Sequence, residues 1–208
     1  MKVVLFNGSP KPFGCTFTAL SEVAKALNES GVETEIFQLG KDPIRGCIGC
    51  GACAKLDGQC VFNDDVVNKA LKAAAGADGF VFGSPVYYAS ANGAMLALMD
   101  RMFYAGGKYF QGKPGTCVAS ARRAGTTSTL DQMNKYLQFA NMPVVSSNYW
   151  NMVHGNTPDE VKQDLEGLQI MRNLGRNMAW LLKCIEAGKA AGIEPPIRES
   201  KIKTNFIR

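Results

Sequence analysis

The chain has 208 residues, of which 46% are apolar or aromatic and 20% are charged. These values are typical of a globular protein with one sizeable core, and they give no compositional case for disorder. The net charge of +5 comes with no basic patch interleaved with aromatic residues, so we expect no nucleic-acid partner.

The first predicted elements alternate between strand and helix. The run KVVLFN is short, apolar and β-branched, which is typical of a buried strand. The segment TALSEVAKALNES has apolar residues at helical spacing and stops at Gly31, a common residue after a helix. VETEIFQL then alternates like a second strand.

The same alternation continues to the end of the chain. DDVVNKALKAAAGA predicts a helix, GFVFGSP a strand, NGAMLALMDRMF a helix, GTCVAS a strand, TLDQMNKYLQFA a helix and MPVVSS a fifth strand. One long amphipathic helix is predicted from Asp159 to Ala187. From Gly188 onward we expect an extended tail. Its four cations are typical of a solvated surface or of a subunit contact: Arg198, Lys201, Lys203 and Arg208.

Strands that alternate with helices predict an α/β fold, with parallel strands joined by right-handed crossovers and helices on both faces of the sheet. Five strands favour the flavodoxin-like order 2-1-3-4-5 over the six-stranded dinucleotide-binding fold. We predict one domain over residues 1–187, with a cysteine-rich loop at 46–60 inserted after strand 2, and an extended C-terminal tail over 188–208.

The loop after strand 1, NGSPKPFGCTFT, has the composition of a phosphate site. It supplies glycines for close backbone approach, hydroxyl donors and a cation: Gly8, Gly14, Ser9, Thr16, Thr18 and Lys11. A helix start adds free N–H groups that attract anions. The loop lacks the P-loop ending and the G-x-G-x-x-G pattern, which disfavours ATP and a dinucleotide of the usual kind. A simple turn is the alternative.

Two further loops are predicted at the same edge of the sheet. GSPVYYASANG places Pro85, Val86, Tyr87 and Tyr88 there, with Ser90 and Asn92 opening the next helix. Aromatic rings beside backbone amides suit a flat heteroaromatic ligand, although they could instead cover the core.

SARRAGTT adds Ser120, Arg122, Arg123 and Gly125 after strand 4. An arginine can donate to a ring carbonyl or to the phosphate of a nicotinamide cofactor, or it can be a solvated surface charge.

GSPKPFGCT, SPVYYASANGAMLALMDR and the cysteine loop resemble the NADPH-dependent FMN reductase and iron–sulfur flavoprotein branch of the flavodoxin-like superfamily, over residues 1 to about 155. The resemblance implies an FMN phosphate site and an isoalloxazine site. The first would comprise Ser9, Lys11, Gly14, Cys15, Thr16 and Phe17. The second would comprise Pro85, Val86, Tyr87, Tyr88 and Ser90, with Ser120, Arg122 and Gly125 on the other side of the ring. Cys15 stands where many relatives have Asn.

Four of the seven cysteines, Cys47, Cys50, Cys53 and Cys60, form the pattern C-x2-C-x2-C-x6-C. The N-terminus lacks the features of a signal peptide and no segment is apolar enough to span a membrane, so we expect a cytoplasmic protein without membrane association. Disulfides are then disfavoured. Zinc usually binds two separated pairs, whereas three cysteines at this spacing are typical of [4Fe–4S] ligation. Free or redox-active thiols also remain open, and the resemblance favours the cluster.

Four other residues lie outside the three loops and the cysteine motif. Cys117 and Cys184 are predicted to be buried as small core residues. His154 is the only histidine, and it and Trp150 could contact flavin, although a structural histidine and a subunit contact are the alternatives.

The resemblance implies an FMN-dependent oxidoreductase with NAD(P)H as co-substrate, no catalytic side chain, and a homodimer or homotetramer whose second subunit completes the flavin pocket. Electrons would pass to a flavin, quinone or similar acceptor, or through a cluster to a redox carrier protein. The alternative is a non-enzymatic electron carrier like flavodoxin, which the positive net charge disfavours because such carriers are usually acidic.

Overall fold

A parallel five-stranded sheet organises the protein in this computed structural model, which describes residues 1–197, 199–200, 202 and 204. The parallel strands are β1 (Lys2–Asn7), β2 (Glu33–Gln38), β3 (Gly79–Tyr87), β5 (Gly115–Ala121) and β6 (Met152–His154), in the order β2-β1-β3-β5-β6. A sixth short strand, β4 (Ser90–Ala91), pairs antiparallel with the end of β3. The predicted strand order is therefore confirmed for the parallel strands.

Seven α-helices connect the strands among the described residues. They are α1 (Cys15–Glu29), α2 (Val67–Ala75), α3 (Gly93–Ala105), α4 (Gly107–Phe110), α5 (Thr126–Phe139), α6 (Pro158–Gln163) and α7 (Leu165–Ala190), with a short 3-10 helix at Ala52–Lys55. None of these helices combines the length and apolar character needed to cross a bilayer.

The helices bury both faces of the sheet. Within β1, Val4 and Phe6 face one core with α2, α3 and α5. Val3 and Leu5 face a second core with α1 and α7. A strand covered on both faces is apolar at successive positions, which explains why the central strands were readable as continuous apolar runs.

The predicted position of the fifth strand is wrong. Val144 makes only an isolated bridge with Gly115, and the last strand is β6, beyond this segment. The Thr116 hydroxyl donates to the Val145 carbonyl at 2.7 Å and accepts from the Asn151 side chain at 2.9 Å. These hydrogen bonds hold the chain after the Val144 bridge in a loop, and the chain rejoins the sheet at Met152.

The long helix predicted over 159–187 is two helices. Asp164 has ψ 76°, which interrupts the helix, and its carboxylate accepts from the Gly167 N–H at 2.9 Å and the His154 N–H at 2.7 Å. The carboxylate therefore caps a new helix, α7, which continues to Ala190.

The structure separates the two predicted core cysteines. Cys117 is buried, as predicted, and burial raises the pKa of its thiol. Cys184 is exposed, so that prediction is wrong, because α7 packs on the core through a different face that includes Met178 and Leu182.

Residues 193–197 have no helix or strand, whereas Gly188 to Ala190 belong to α7. The cations Arg198, Lys201, Lys203 and Arg208 lie outside the described residues.

Candidate functional site: the carboxyl edge of the sheet

The β1–α1 loop is shaped by hydrogen bonds of its own residues and of its neighbours. The Asn7 side-chain oxygen accepts from the Ser9 N–H at 3.1 Å, and the Ser9 hydroxyl oxygen accepts from the Lys11 N–H at 3.2 Å. Gln38, at the end of β2, donates to the Ser9 carbonyl at 2.6 Å. The loop is thus held in one shape while the Lys11 side chain stays exposed.

The N-terminus of α1 is open to an anion. Gly14 precedes the helix, none of the described side chains caps it, and its first turn contains no acidic residue. By contrast, Asn92, Thr157 and Asp164 cap α3, α6 and α7 with their side chains. Uncapped N–H groups at a helix N-terminus bind phosphate well, especially beside a lysine and a serine. The donor set therefore fits a phosphate.

The Cys15 thiol does not point its hydrogen at this anion site. Its Sγ lies 3.5 Å from the Gly155 carbonyl, in the loop after β6, and donates to it. Burial raises the pKa of the thiol. An Asn at this position could offer an N–H donor to a phosphate, whereas the cysteine would leave a bound phosphate to the backbone and to neighbouring side chains.

Two buried hydroxyls join the first loop to the third. The Thr16 and Ser120 oxygens lie 2.8 Å apart, and both residues are buried. This contact ties the start of α1 to the end of β5. Phe17 is half-buried next to the exposed ring of Phe13, with their centroids 5.1 Å apart.

The second loop is a tight β-hairpin that displays two tyrosines. Val86 pairs with Ala91 and Tyr87 with Ser90, which leaves a two-residue turn at Tyr88 and Ala89. Both turn residues have positive φ, 49° and 59°, as a type I′ turn requires. Such backbone is costly for residues other than glycine and tends to persist at functional sites.

The tyrosine side chains project from this edge. Tyr88 is fully exposed and Tyr87 is 48% exposed, so Tyr88 does not cover the core. Pro85 and Val86 are half-buried beneath them. The Ser90 hydroxyl donates to the Gln132 side chain of α5 at 2.6 Å, which anchors the returning strand. The hairpin offers flat aromatic surface at the same edge of the sheet as the N-terminus of α1.

Gly125 packs the third loop directly against the hairpin. It has φ 92°, and a Cβ there would lie 2.5 Å from Ala89 Cα and 2.8 Å from Val86 Cγ1. Only glycine therefore fits without moving backbone. Arg122 and Arg123 are exposed on this loop.

His154 ends β6 on the same side. Its Nε2 lies 3.1 Å from the Arg123 carbonyl oxygen, and its backbone N–H is held by Asp164. The ring is thereby placed beside the third loop. Trp150 is 57% exposed and stacks edge-to-face on Tyr149, with centroids 4.6 Å apart.

Asn92 has a larger role than the helix start that its sequence position indicates. Its side-chain oxygen accepts from the Met95 N–H at 2.8 Å, which caps α3. Its Nδ2 donates to the Gly8 carbonyl at 2.8 Å, and its backbone N–H donates to the Ser84 hydroxyl at 3.0 Å. One buried side chain therefore ties the start of α3 to the β1–α1 loop.

We expect Asn92→Ala to lower the free energy of unfolding by about 2–3 kcal/mol, because it removes a cap and leaves the Gly8 carbonyl unsatisfied. Urea unfolding measures this change. Thr157→Ala is the matched control, since Thr157 is an exposed cap of α6, and it should cost about 1 kcal/mol. Equal losses in the two variants would contradict the bridging role of Asn92.

The cysteine-rich loop forms a second candidate site. Cys47, Cys50, Cys53 and Cys60 line one cavity of ≈ 130 Å³, together with Phe62 and Tyr104. Cys47 and Cys50 are exposed, the other two are half-buried, and all four are free of disulfides. Within the described ranges, no three His, Cys, Asp or Glu side chains are already grouped as a metal site. Four thiols around one cavity match the donor chemistry of an iron–sulfur cluster.

Arg101 of α3 anchors this loop, and its role was not predicted. It is 2% exposed, and its Nε lies 3.3 Å from the Cys60 sulfur. Its guanidinium also pairs with Asp65. An arginine inside the apolar stretch AMLALMDRMF was the available signal, because a buried charge needs partners.

The fold and the edge loops define a flavodoxin-like α/β protein with a candidate ligand site at the carboxyl ends of its strands, the place where ligands bind in open sheets of this kind. The chain belongs to the NADPH-dependent FMN reductase family, whose model matches residues 1–157. The fold and the family resemblance predicted from the sequence are thus confirmed, and the chain is a flavin-dependent oxidoreductase by membership.

The relatives include named iron-sulfur flavoproteins. One from Methanocaldococcus jannaschii is 36% identical over 194 residues, covering 89% of this chain and 100% of the relative. Another, from Archaeoglobus fulgidus, is 29% identical over 163 residues, covering 77% and 73%.

Solved structures support the fold. A flavone reductase matches with TM-score 0.66 at 20% identity, over 89% of this chain and 64% of its own. An archaeal flavodoxin matches with TM-score 0.60 at 14% identity, over 88% and 99%.

Proposed function

We propose that the protein is an FMN-dependent oxidoreductase that takes hydride from NAD(P)H and passes electrons to a flavin, a quinone or a similar acceptor. One observation carries the proposal: the uncapped start of α1 and the exposed tyrosine hairpin meet at one edge of the sheet. Asn92 links them directly through the Gly8 carbonyl. This edge offers an anion site beside an aromatic surface, as a phosphate-bearing flat ring needs.

The residues of this edge would bind and orient FMN. The backbone at the start of α1 would hold the phosphate with Ser9 and Lys11, and Tyr87 and Tyr88 would contact the ring. When bound, FMN supplies the capacity to accept hydride and to release electrons one or two at a time. The protein would contribute position and electrostatics.

The third loop is the proposed docking place for the nicotinamide cofactor. Arg122 and Arg123 are exposed there, and guanidinium groups bind phosphate by paired donors. His154 lies against the same loop and helps to hold its backbone. This arrangement is compatible with NADH or NADPH, and rates with the two donors distinguish them.

We also propose that Cys47, Cys50, Cys53 and Cys60 hold a [4Fe–4S] cluster. Their shared cavity and the iron-sulfur flavoprotein relatives support this proposal. When bound, the cluster supplies single-electron exchange. The same cavity favours the second candidate function, an electron-transfer protein that relays to a ferredoxin-like carrier without turning over NAD(P)H.

The anaerobic visible spectrum of freshly purified protein tests these proposals, with FMN, iron and acid-labile sulfide assayed on the same sample. Flavin bands and steady NAD(P)H oxidation support the reductase. About four irons per chain support the cluster, and four irons without NAD(P)H oxidation favour the electron-transfer protein. No flavin after reconstitution with FMN would overturn the whole proposal.

Removing one proposed ligand should release the metal. We expect Cys47→Ser to lose most of its iron and sulfide while FMN content stays unchanged, because the cysteine cavity and the flavin edge use different loops. Cys184→Ser is the control, since Cys184 is also exposed but lies on α7. Iron retained by Cys47→Ser at the level of the control would contradict the ligand assignment.

A homodimer or homotetramer is also proposed. Phe13 is 75% exposed at the same edge as the exposed ring of Tyr88. A second subunit that covers these rings would complete the flavin pocket. Light scattering of the pure protein measures the subunit number.

A further inference from the structure

Arg101 is a buried cation that a packed core does not explain. It lies on α3 among the buried residues Leu98, Met99 and Met102, and its side chain is 1% exposed. Burying a guanidinium costs several kcal/mol unless its donors are satisfied. The groups that bind the Arg101 guanidinium therefore indicate its role.

Among the described residues, the hydrogen-bond partners of the guanidinium all come from the segment that carries the cysteines. One terminal nitrogen pairs with the Asp65 carboxylate and donates to the Arg45 carbonyl at 3.2 Å. The other terminal nitrogen donates to the Phe62 carbonyl at 3.1 Å. The Nε donates to the Cys60 sulfur at 3.3 Å. Arg101 thus holds both ends of the segment and one sulfur.

Cys60 is fixed from a second direction as well. Its N–H donates to the Asn68 side-chain oxygen at 2.8 Å, and the Asn68 Nδ2 donates to the Cys60 carbonyl at 2.9 Å. In the part of the chain that the structure describes, the other three loop cysteines receive no such side-chain clamp. The position of Cys60 is therefore fixed by hydrogen bonds before any metal binds, while Cys47 and Cys50 are exposed.

We propose that Arg101 positions Cys60 as an iron ligand and raises the reduction potential of the cluster through the Nε–H bond to its sulfur. This inference rests on the proposed function, because it needs a cluster on these cysteines. Hydrogen bonds to sulfur stabilise the electron-rich reduced state, so they raise the potential. Arg101 acts through Cys60 and is a positioning residue.

Helix α3 also connects this anchor to the flavin edge. Asn92 caps the helix beside the phosphate loop, and Arg101 follows nine positions later, which is about 14 Å along a helix axis. One rigid element therefore carries both Asn92, which organises the flavin loops, and Arg101, which organises the cysteine loop.

The test compares anaerobically purified full-length variants by iron content, FMN content and midpoint potential measured by spectroelectrochemistry. Arg101→Lys keeps a positive charge but loses the Nε–H bond. The double variant Arg101→Met with Asp65→Asn removes both charges of the buried pair, so its net charge is unchanged. Arg172→Met with Glu22→Gln is the matched control, because it removes an arginine–carboxylate pair between α1 and α7.

We expect both Arg101 variants to keep their FMN. Their cluster should be reduced roughly tenfold less favourably, which lowers its midpoint potential by about 59 mV for a one-electron couple. Loss of iron from both, with iron retained in the control, also supports the positioning role. Iron retained with an unchanged midpoint potential would overturn the inference while leaving the proposed cluster intact. Wild-type protein without iron would overturn both the inference about Arg101 and the proposed cluster. Its FMN content and NAD(P)H oxidation would still report on the flavin site.

Discussion

Replacing Arg101 with Met alone is expected to lower the free energy of unfolding by about 3–5 kcal/mol. The Asp65 side chain is only 4% exposed, so the single substitution leaves a buried carboxylate without its cation. The carbonyls of Arg45 and Phe62 also lose a donor. Urea unfolding followed by circular dichroism measures the change.

Arg172→Met is the control for this prediction. Arg172 pairs with Glu22 at 2.6 Å, but its side chain is 36% exposed. Water can solvate the carboxylate that remains, so the loss should be about 1 kcal/mol or less. A similar loss of stability in Arg101→Met and Arg172→Met would show that the cost of removing Arg101 does not come from the burial of its ion pair.

Gly125→Ala is expected to weaken FMN binding at least tenfold, which corresponds to about 1.4 kcal/mol. The new methyl group would lie 2.5 Å from Ala89 Cα, so the tyrosine hairpin must move away from the third loop. The positive φ adds a backbone cost. Together these effects should lower the free energy of unfolding by about 2–5 kcal/mol. Fluorescence titration with FMN measures the binding.

Gly112→Ala is the control that separates the steric effect of Gly125→Ala from the backbone cost of its positive φ. Gly112 has φ 73°, but no atom of the described residues lies within 4 Å of a Cβ placed there. This control should lose only about 1–2 kcal/mol of stability, from backbone conformation, and should bind FMN as tightly as the unaltered protein. FMN binding by Gly125→Ala that equals that of the control would contradict contact between the hairpin and the third loop as a determinant of the site.

Local sequence was enough to predict the central strands and most helices. β1, β3 and β5 are buried on both faces, so their apolar runs are continuous and readable. The three loops at the carboxyl edge were also predictable, because parallel strands place these ends together. That rule brought Thr16 and Ser120, which are 104 positions apart, to the same edge, although their direct contact became visible only in the structure.

Prediction from local sequence failed where contacts with distant residues determine the backbone conformation. Val144 and Val145 have the composition of a strand, but side-chain bonds from Thr116 and Asn151 lead the chain past them. The helix interruption at Asp164 depends on a carboxylate that accepts from both His154 and Gly167. The exposure of Cys184 depends on which face of α7 meets the core.

The sequence by itself determined the α/β class, the family resemblance and the four cysteines, since periodicity and motif spacing are local properties. Only the tertiary structure decided that Arg101 serves the cysteine loop, because its partners Arg45 and Asp65 lie 56 and 36 positions away. The same is true of Asn92, whose amide reaches Gly8 across 84 positions. A buried polar group must find its partners wherever the packed chain brings them, and sequence spacing does not encode that location.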